Sequence, residues 1–284
     1  MSKIGLVLEG GGMRGAYTAG CLCWLIDNEI EFDYGVGISA GAMNLCSYAM
    51  KNKTYLYDVM VKYMADKRNV GRIPLMKEGT YVGYNFMFDD LLSNIVKYEL
   101  TPLKTCSMEV EIGIYDLEAA KTVWVDKSEM DLGLRLLKGA CTLPIAGKIV
   151  DYNHRRYIDG GVTTMVPVDR SIRAGCDKHF VIITKDEGYV RKPAGKLLLG
   201  ATRFCYPKYP ALLDNLRERT DVYYREMGEV EQMVENKTAV LFRPTKHMNV
   251  KRFSGDPVAL QQLFELGYQD LEARREEIFE FVKK

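Results

Sequence analysis

The stretch Glu9-Gly10-Gly11-Gly12-Met13-Arg14-Gly15 most constrains the fold, and Gly37-Ile38-Ser39-Ala40-Gly41 follows it closely. The first stretch comes after an apolar run, Ile4-Gly5-Leu6-Val7-Leu8, of the kind that forms a buried strand. It precedes residues 16–27, where Tyr17, Cys21, Trp24 and Leu25 recur at helical spacing. A strand, a glycine loop and a helix N-terminus leave backbone N–H groups pointing at one spot, which suits a negative charge. The second stretch repeats the geometry, with Tyr34-Gly35-Val36-Gly37-Ile38 as strand, then Ser39, then a helix from about Ala40. A serine between small residues at such a turn is the Gly-x-Ser-x-Gly nucleophile elbow, with Gly37 and Gly41 letting the turn tighten. An anion cradle and an exposed serine within about 30 residues point to acyl transfer through a tetrahedral oxyanion.

Further along, residues 54–66 place Leu56, Val59, Met60 and Tyr63 on one helical face. Residues 71–90 mix Gly79 and Gly83 with Tyr81, Val82, Tyr84, Phe86, Met87 and Phe88, which fits a loop over a greasy pocket or aromatics plugged into the core. Strands are expected at 109–115 and 121–126, a helix at 130–138, and a hairpin turning at Asn153 that delivers Asp159-Gly160-Gly161. A short helix at 168–174 precedes His179-Phe180-Val181-Ile182-Ile183-Thr184, a buried strand. From Gly188 the chain becomes charged and helical, at 197–209, 211–235 and 257–284, with one more strand at 239–242. Strands alternating with helices predict a layered α/β domain with a central, largely parallel sheet. We expect a single domain over 1–284, with a core at about 4–185 and a helical extension at about 190–284.

Composition narrows the function. Charged residues make up 27% and the net charge is +1, which gives no general attraction to nucleic acid or acidic lipid. No apolar window is long enough to cross a bilayer, and Glu9 with the glycines interrupts any signal-peptide pattern. Seven cysteines without framework spacing fit a reducing interior, so a cytoplasmic location is expected. Cys21 and Cys23 lack further ligands, so no metal site is expected there or elsewhere.

Gly10-x-Gly12-x-x-Gly15 also satisfies the dinucleotide fingerprint. That fingerprint wants an acidic residue at the end of the second strand, where this chain has Ile38-Ser39. A nucleotide-binding or non-catalytic scaffold is the alternative from another class, and no cofactor is expected. The three histidines, His154, His179 and His247, carry no catalytic context, whereas Asp159 is a carboxylate at a strand end with glycines behind it.

Gly-Gly-Gly-Met-Arg-Gly, Gly-Ile-Ser-Ala-Gly and Asp-Gly-Gly, in this order, closely resemble the patatin-like phospholipases. The similarity covers about residues 4–185, and the later part is similar to a bacterial branch of that family. The resemblance implies a serine–aspartate dyad without histidine, with Ser39 as nucleophile and Asp159 its partner. It implies an oxyanion hole from the Gly10–Gly15 loop, through backbone N–H groups around Gly11, Gly12 and Met13 with Arg14 close by. Residues 140–144, Ala-Cys-Thr-Leu-Pro, resemble the family's Ala-Ser-x-Ala-x-Pro segment, with departures at Cys141 and Thr142. The expected substrate is a lipid or other acyl ester, with transient membrane-surface contact and preference for esters and thioesters over amides. A short-chain esterase or thioesterase on the same dyad is the near alternative.

Overall fold

The computed structural model describes residues 2–283. Eight strands form one sheet: β1 (Ile4–Leu8), β2 (Tyr34–Ile38), β3 (Glu109–Asp116), β4 (Lys121–Asp126), β5 (Val150–Tyr152), β6 (Arg155–Asp159), β7 (Lys178–Ile182) and β8 (Ala239–Phe242). Five of them run parallel in the spatial order β3–β2–β1–β7–β8. β1 and β2 are buried at every position, as expected of parallel strands covered on both faces. Their side chains alternate between two apolar layers. Ile4, Leu6 and Leu8 join one large cluster, while Val7 and Val36 join another.

The first layer holds α1 (Gly15–Asp27), α2 (Ala40–Ala49) and α3 (Lys53–Tyr57), the last running into a π-helical turn at Asp58–Lys62. After it come α4 (Arg72–Glu78), a π-helical segment at Phe86–Val96, α5 (Thr101–Thr105) and α6 (Arg135–Cys141). The opposite face carries α7 (Val168–Arg173) and part of the later segment, which comprises α8 (Lys196–Cys205), α9 (Pro210–Glu235), α10 (Pro257–Ala273) and α11 (Arg275–Val282). α9 covers the second layer through Tyr223, Met227 and Val230, whereas α10 crosses to the first and packs on α1.

β1 is where the chain changes direction, since β2 lies on one side of it and β7 on the other. The loops after β1, β2 and β7 emerge together there, which is where ligands bind in open α/β sheets. The edge of β3 holds the second organising feature. β2 pairs with its first half, up to Ile38 opposite Gly113, and antiparallel β6 continues along the same edge with Asp159 opposite Ile114. β4 occupies the other edge. The C-terminal ends of β2 and β6 therefore meet head to head, which brings Ser39 and Asp159 together.

Three expected elements differ. Residues 71–90 are no irregular loop, because α4 and the start of the π-helical segment occupy most of them. The helix expected at 130–138 begins only at Arg135, because Asp131 accepts the N–H groups of Arg135 and Leu136 and Leu134 takes a left-handed conformation. The closing helix of 257–284 is broken at Arg274.

Candidate active site

Ser39 links β2 to α2 with φ 57° and ψ −125°, a strained conformation for a residue with a side chain. Such strain concentrates at functional turns, and the surroundings enforce it here. A Cβ on Gly37 would lie 2.6 Å from the Gly41 carbonyl oxygen, and one on Gly41 would lie 2.6 Å from that of Leu8. Only glycines let the elbow close this tightly over the end of β1.

Asp159 caps the 3₁₀ turn Gly160–Val162, and its Oδ1 accepts the Gly161 N–H at 2.7 Å. The side chain is buried, and Oδ2 has no hydrogen-bond partner. Burial raises the carboxyl above its ordinary range. The Ser39 hydroxyl, the Gly161 amide, Arg219 and Arg252 pull against that rise. No hydrogen bond of normal geometry joins Ser39 to Asp159, although the hydroxyl is near enough to favour the carboxylate. Both residues line one small polar cavity with Gly10, Gly11 and Gly12.

The segment at 140–144 touches both residues. The Cys141 thiol donates to the Ser39 carbonyl at 3.4 Å, and the Thr142 carbonyl accepts the Asp159 N–H at 2.8 Å. Leu143, whose own N–H donates to the Tyr84 hydroxyl, lines the polar cavity and two apolar spaces beside it.

In the glycine loop, Met13 N–H donates to the Arg252 carbonyl at 3.1 Å, while the amides of Gly11 and Gly12 meet no protein acceptor among the described residues. Gly12 has φ +59°, and a Cβ there would lie 2.5 Å from the Arg252 carbonyl oxygen. Gly15 opens α1, and its carbonyl accepts from Asn44 on α2. Arg14 turns to a neighbouring cavity, its guanidinium 5.7 Å from the Tyr189 ring centre. The loop is anchored from below by a buried ion pair of Glu9 and Lys185, which also donates to the Gly10 carbonyl at 2.9 Å. Burial works against both charges, and the pairing keeps Glu9 below the ordinary carboxylate range.

Among the described residues no histidine lines the cavity of Ser39 and Asp159 or the apolar spaces beside it, and His247 lines only the neighbouring cavity to which Arg14 turns. His179 bonds Ser171, His247 pairs with Asp186, and His154 sits in the β5–β6 turn. No cluster of metal-ligating side chains occurs among the described residues either.

An apolar cavity, partly open to solvent, reaches Ser39 between Met43, Met60, Met64, Val82 and Tyr84. Val82, Tyr84 and Met87 from the 71–90 region line it, while Phe86 and Phe88 are buried beside it.

Residues 6–172 match the family model described as Patatin-like phospholipase, more than half of the chain. The chain belongs to that family. Residues 209–283 match a second family, described as Domain of unknown function (DUF6363). Two relatives are "Uncharacterized protein YjjU" of Escherichia coli, 24% identical over 64% of this chain, and "Probable lipid hydrolase 463L" of Invertebrate iridescent virus 6, 25% identical over 59%. The matches span 52% and 63% of those proteins, so the chain covers only part of each. Among solved structures, VipD from Legionella pneumophila matches with a TM-score of 0.50 at 10% identity, over 97% of this chain and 67% of that one, a likeness of fold.

Four side chains at the site were not singled out in the sequence. Lys185, Arg191, Arg219 and Arg252 all line the polar cavity, and all lie outside the three glycine motifs. Isolated basic residues on helices or in loops carry no local signal, since most are solvated surface residues.

Proposed function

We propose that the protein is a serine acyl hydrolase of lipid esters, working through Ser39 and Asp159. One observation carries this reading: a strained Ser39 and a buried Asp159 with an unpartnered oxygen share a cavity beneath free glycine-loop amides. The Ser39 hydroxyl oxygen attacks the ester carbonyl, and its proton passes to Asp159 Oδ2. The carbonyl oxygen becomes an oxyanion facing the amides of Gly11 and Gly12, the loop donors left uncommitted. One such donor is typically worth ~10²–10³ in kcat. Collapse of the intermediate expels the alcohol, which takes a proton from Asp159, and leaves an acyl-Ser39 ester. Water then attacks that ester by the same route in reverse, releasing the acid.

An aspartate with an ordinary pKa of roughly 4 is a weak base towards a serine hydroxyl, so the burial that raises Asp159 favours the transfer. An alcohol or thiol also leaves with less protonation than an amine, which supports esters and thioesters as substrates. The apolar lining of the cavity beside Ser39 supports an apolar acyl group as the part of the ester seated there. Exposed Leu197 and Phe204 on α8, with Leu75 and Met76 on α4, support transient contact with a lipid surface. No described helix is long and apolar enough to cross a membrane.

Intact-mass measurement after exposure to a fluorophosphonate tests the proposal. A single adduct is expected on the wild type and none on folded Ser39→Ala. An unlabelled wild type would remove the support for an activated serine.

A further inference from the structure

The cavity shared by Ser39 and Asp159 carries more positive charge than ester cleavage requires. Four cations line it, Lys185, Arg191, Arg219 and Arg252, against two carboxylates, Glu9 and Asp159. Glu9 is closed by Lys185. Asp159 is the one remaining carboxylate, and it feels Arg219 and Arg252 at a distance without forming an ion pair. Arg219 donates from Nε to the Gly161 carbonyl, which leaves its two terminal nitrogens uncommitted. Arg191 is 7% exposed, and its guanidinium lies 4.7 Å from the Tyr223 ring centre without a carboxylate beside it. The Arg252 side chain has no hydrogen-bond partner or ion pair among the described residues, and burial, with repulsion from Arg14 and Arg191, opposes its charge.

Guanidiniums gathered without counter-charge are costly in the empty cavity, and an anion seated among them offsets that cost. Their forked donors match the oxygens of a phosphate. Arg191 and Arg219 line the polar cavity and not the apolar one, so with the acyl chain in the apolar cavity they face the alcohol half of the ester, and Arg252 lies between, lining both. The lining keeps no free carboxylate for a headgroup cation, since Glu9 is paired and Asp159 serves the serine.

We propose that Arg191, Arg219 and Arg252 form a phosphate subsite on the leaving-alcohol side, so that the site takes acyl glycerophosphates in preference to zwitterionic or uncharged acyl glycerols. This rests on the acyl-hydrolase reading above. All three arginines lie beyond the residues matched by the patatin-like model, so the later segment would set the headgroup choice.

The test is calorimetric binding to the intact chain carrying Ser39→Ala, which cannot turn substrate over. Three ligands below their micelle concentrations are compared: octanoyl glycerophosphate, octanoyl glycerophosphocholine and octanoyl glycerol. The phosphate monoester should bind at least about tenfold more tightly than the other two, and Arg191→Gln in the same background should erase the difference. Arg252→Gln serves in its place if Arg191→Gln does not fold, as judged by circular dichroism. Equal affinity for all three ligands, or a preference that survives the arginine change, overturns the proposal. Inorganic phosphate binding as tightly as octanoyl glycerophosphate would make this a free-anion site and overturn the substrate assignment. The fluorophosphonate experiment separates the two readings. An adduct on Ser39 without a charge preference removes the subsite alone, and a preference without an adduct removes the hydrolase while leaving the anion site.

Discussion

Asp159 shows how a side chain proposed to serve catalysis can cost the fold stability. Burial raises its folded pKa above the ordinary value of 3.8, and nearby donors and arginines only partly oppose that. A carboxyl with a raised folded pKa adds stability while protonated, below its unfolded pKa, and that stability is lost as pH rises through the folded value. At neutral pH the wild type has therefore lost stability that Asn, which does not titrate, would keep. We predict that Asp159→Asn lowers kcat/KM by ~10²–10⁴ and raises the thermal midpoint at pH 7 by roughly 1–3 °C. Scanning calorimetry should show the gain fading as pH falls through the raised folded value and absent below about 4. A midpoint that drops at pH 7 would show that the carboxylate holds the turn at 160–162 together. At this scale the turns that carry Ser39 and Asp159 were legible, because glycine-framed turns need particular residues at particular spacings. The arginines were not, because their meaning lies in a shared cavity and not in their neighbours along the chain.

Elements hold the site by their ends. On α9, buried Glu226 accepts the N–H groups of Met165 at 3.0 Å and Val166 at 2.9 Å, which fixes the chain just beyond the Asp159 turn. Desolvation pushes this carboxyl up to about 8. Its contribution to stability is thus present below the unfolded value of 4.5 and lost as pH rises towards 8. Glu226→Gln keeps an acceptor for both amides and removes the titration. The variant should match the wild type near pH 5 and exceed it by about 1–3 kcal/mol near pH 8, read from urea unfolding. An unchanged difference between the two pH values would mean that Glu226 does not titrate across this range. The strands β1, β2 and β7 were legible as continuous apolar runs between glycine turns. The 71–96 region was not, because glycines mixed with aromatics fit a loop as well as short and π-helical turns. Asp131 misled in another way, since its side chain caps a helix that begins four residues later.

At the scale of the whole molecule, the largely parallel layered sheet followed from the alternation of strands and helices. The head-to-head meeting of β2 and β6 on β3 did not, since nothing in either strand encodes the partner edge. The seating of α10 on α1 was equally hidden, and it ties the later segment to the motif-bearing core. The two helices touch backbone to backbone: a Cβ on Gly20 would lie 1.9 Å from the Phe264 carbonyl oxygen, and one on Gly267 would lie 2.2 Å from that of Tyr17. Tyr17 donates to Asp270 across this contact, and Thr245, in the chain after β8, donates to the same carboxylate. Gly20→Ala should therefore cost about 1–3 kcal/mol by overpacking. Gly228→Ala, on α9 with open space around it, should be neutral or stabilising by up to about 1 kcal/mol. Urea unfolding of both variants checks the contrast, and a Gly20→Ala midpoint equal to the wild type would mean that the helices separate freely. The consequence for the site runs through Arg252, which lies just before α10 and whose carbonyl holds the Met13 amide of the glycine loop. Displacing α10 moves that carbonyl, and with it the Gly11 and Gly12 amides proposed to meet the oxyanion. Gly20→Ala should for this reason lower kcat/KM on an acyl ester even under conditions where the protein remains folded, although Gly20 touches none of the reacting groups.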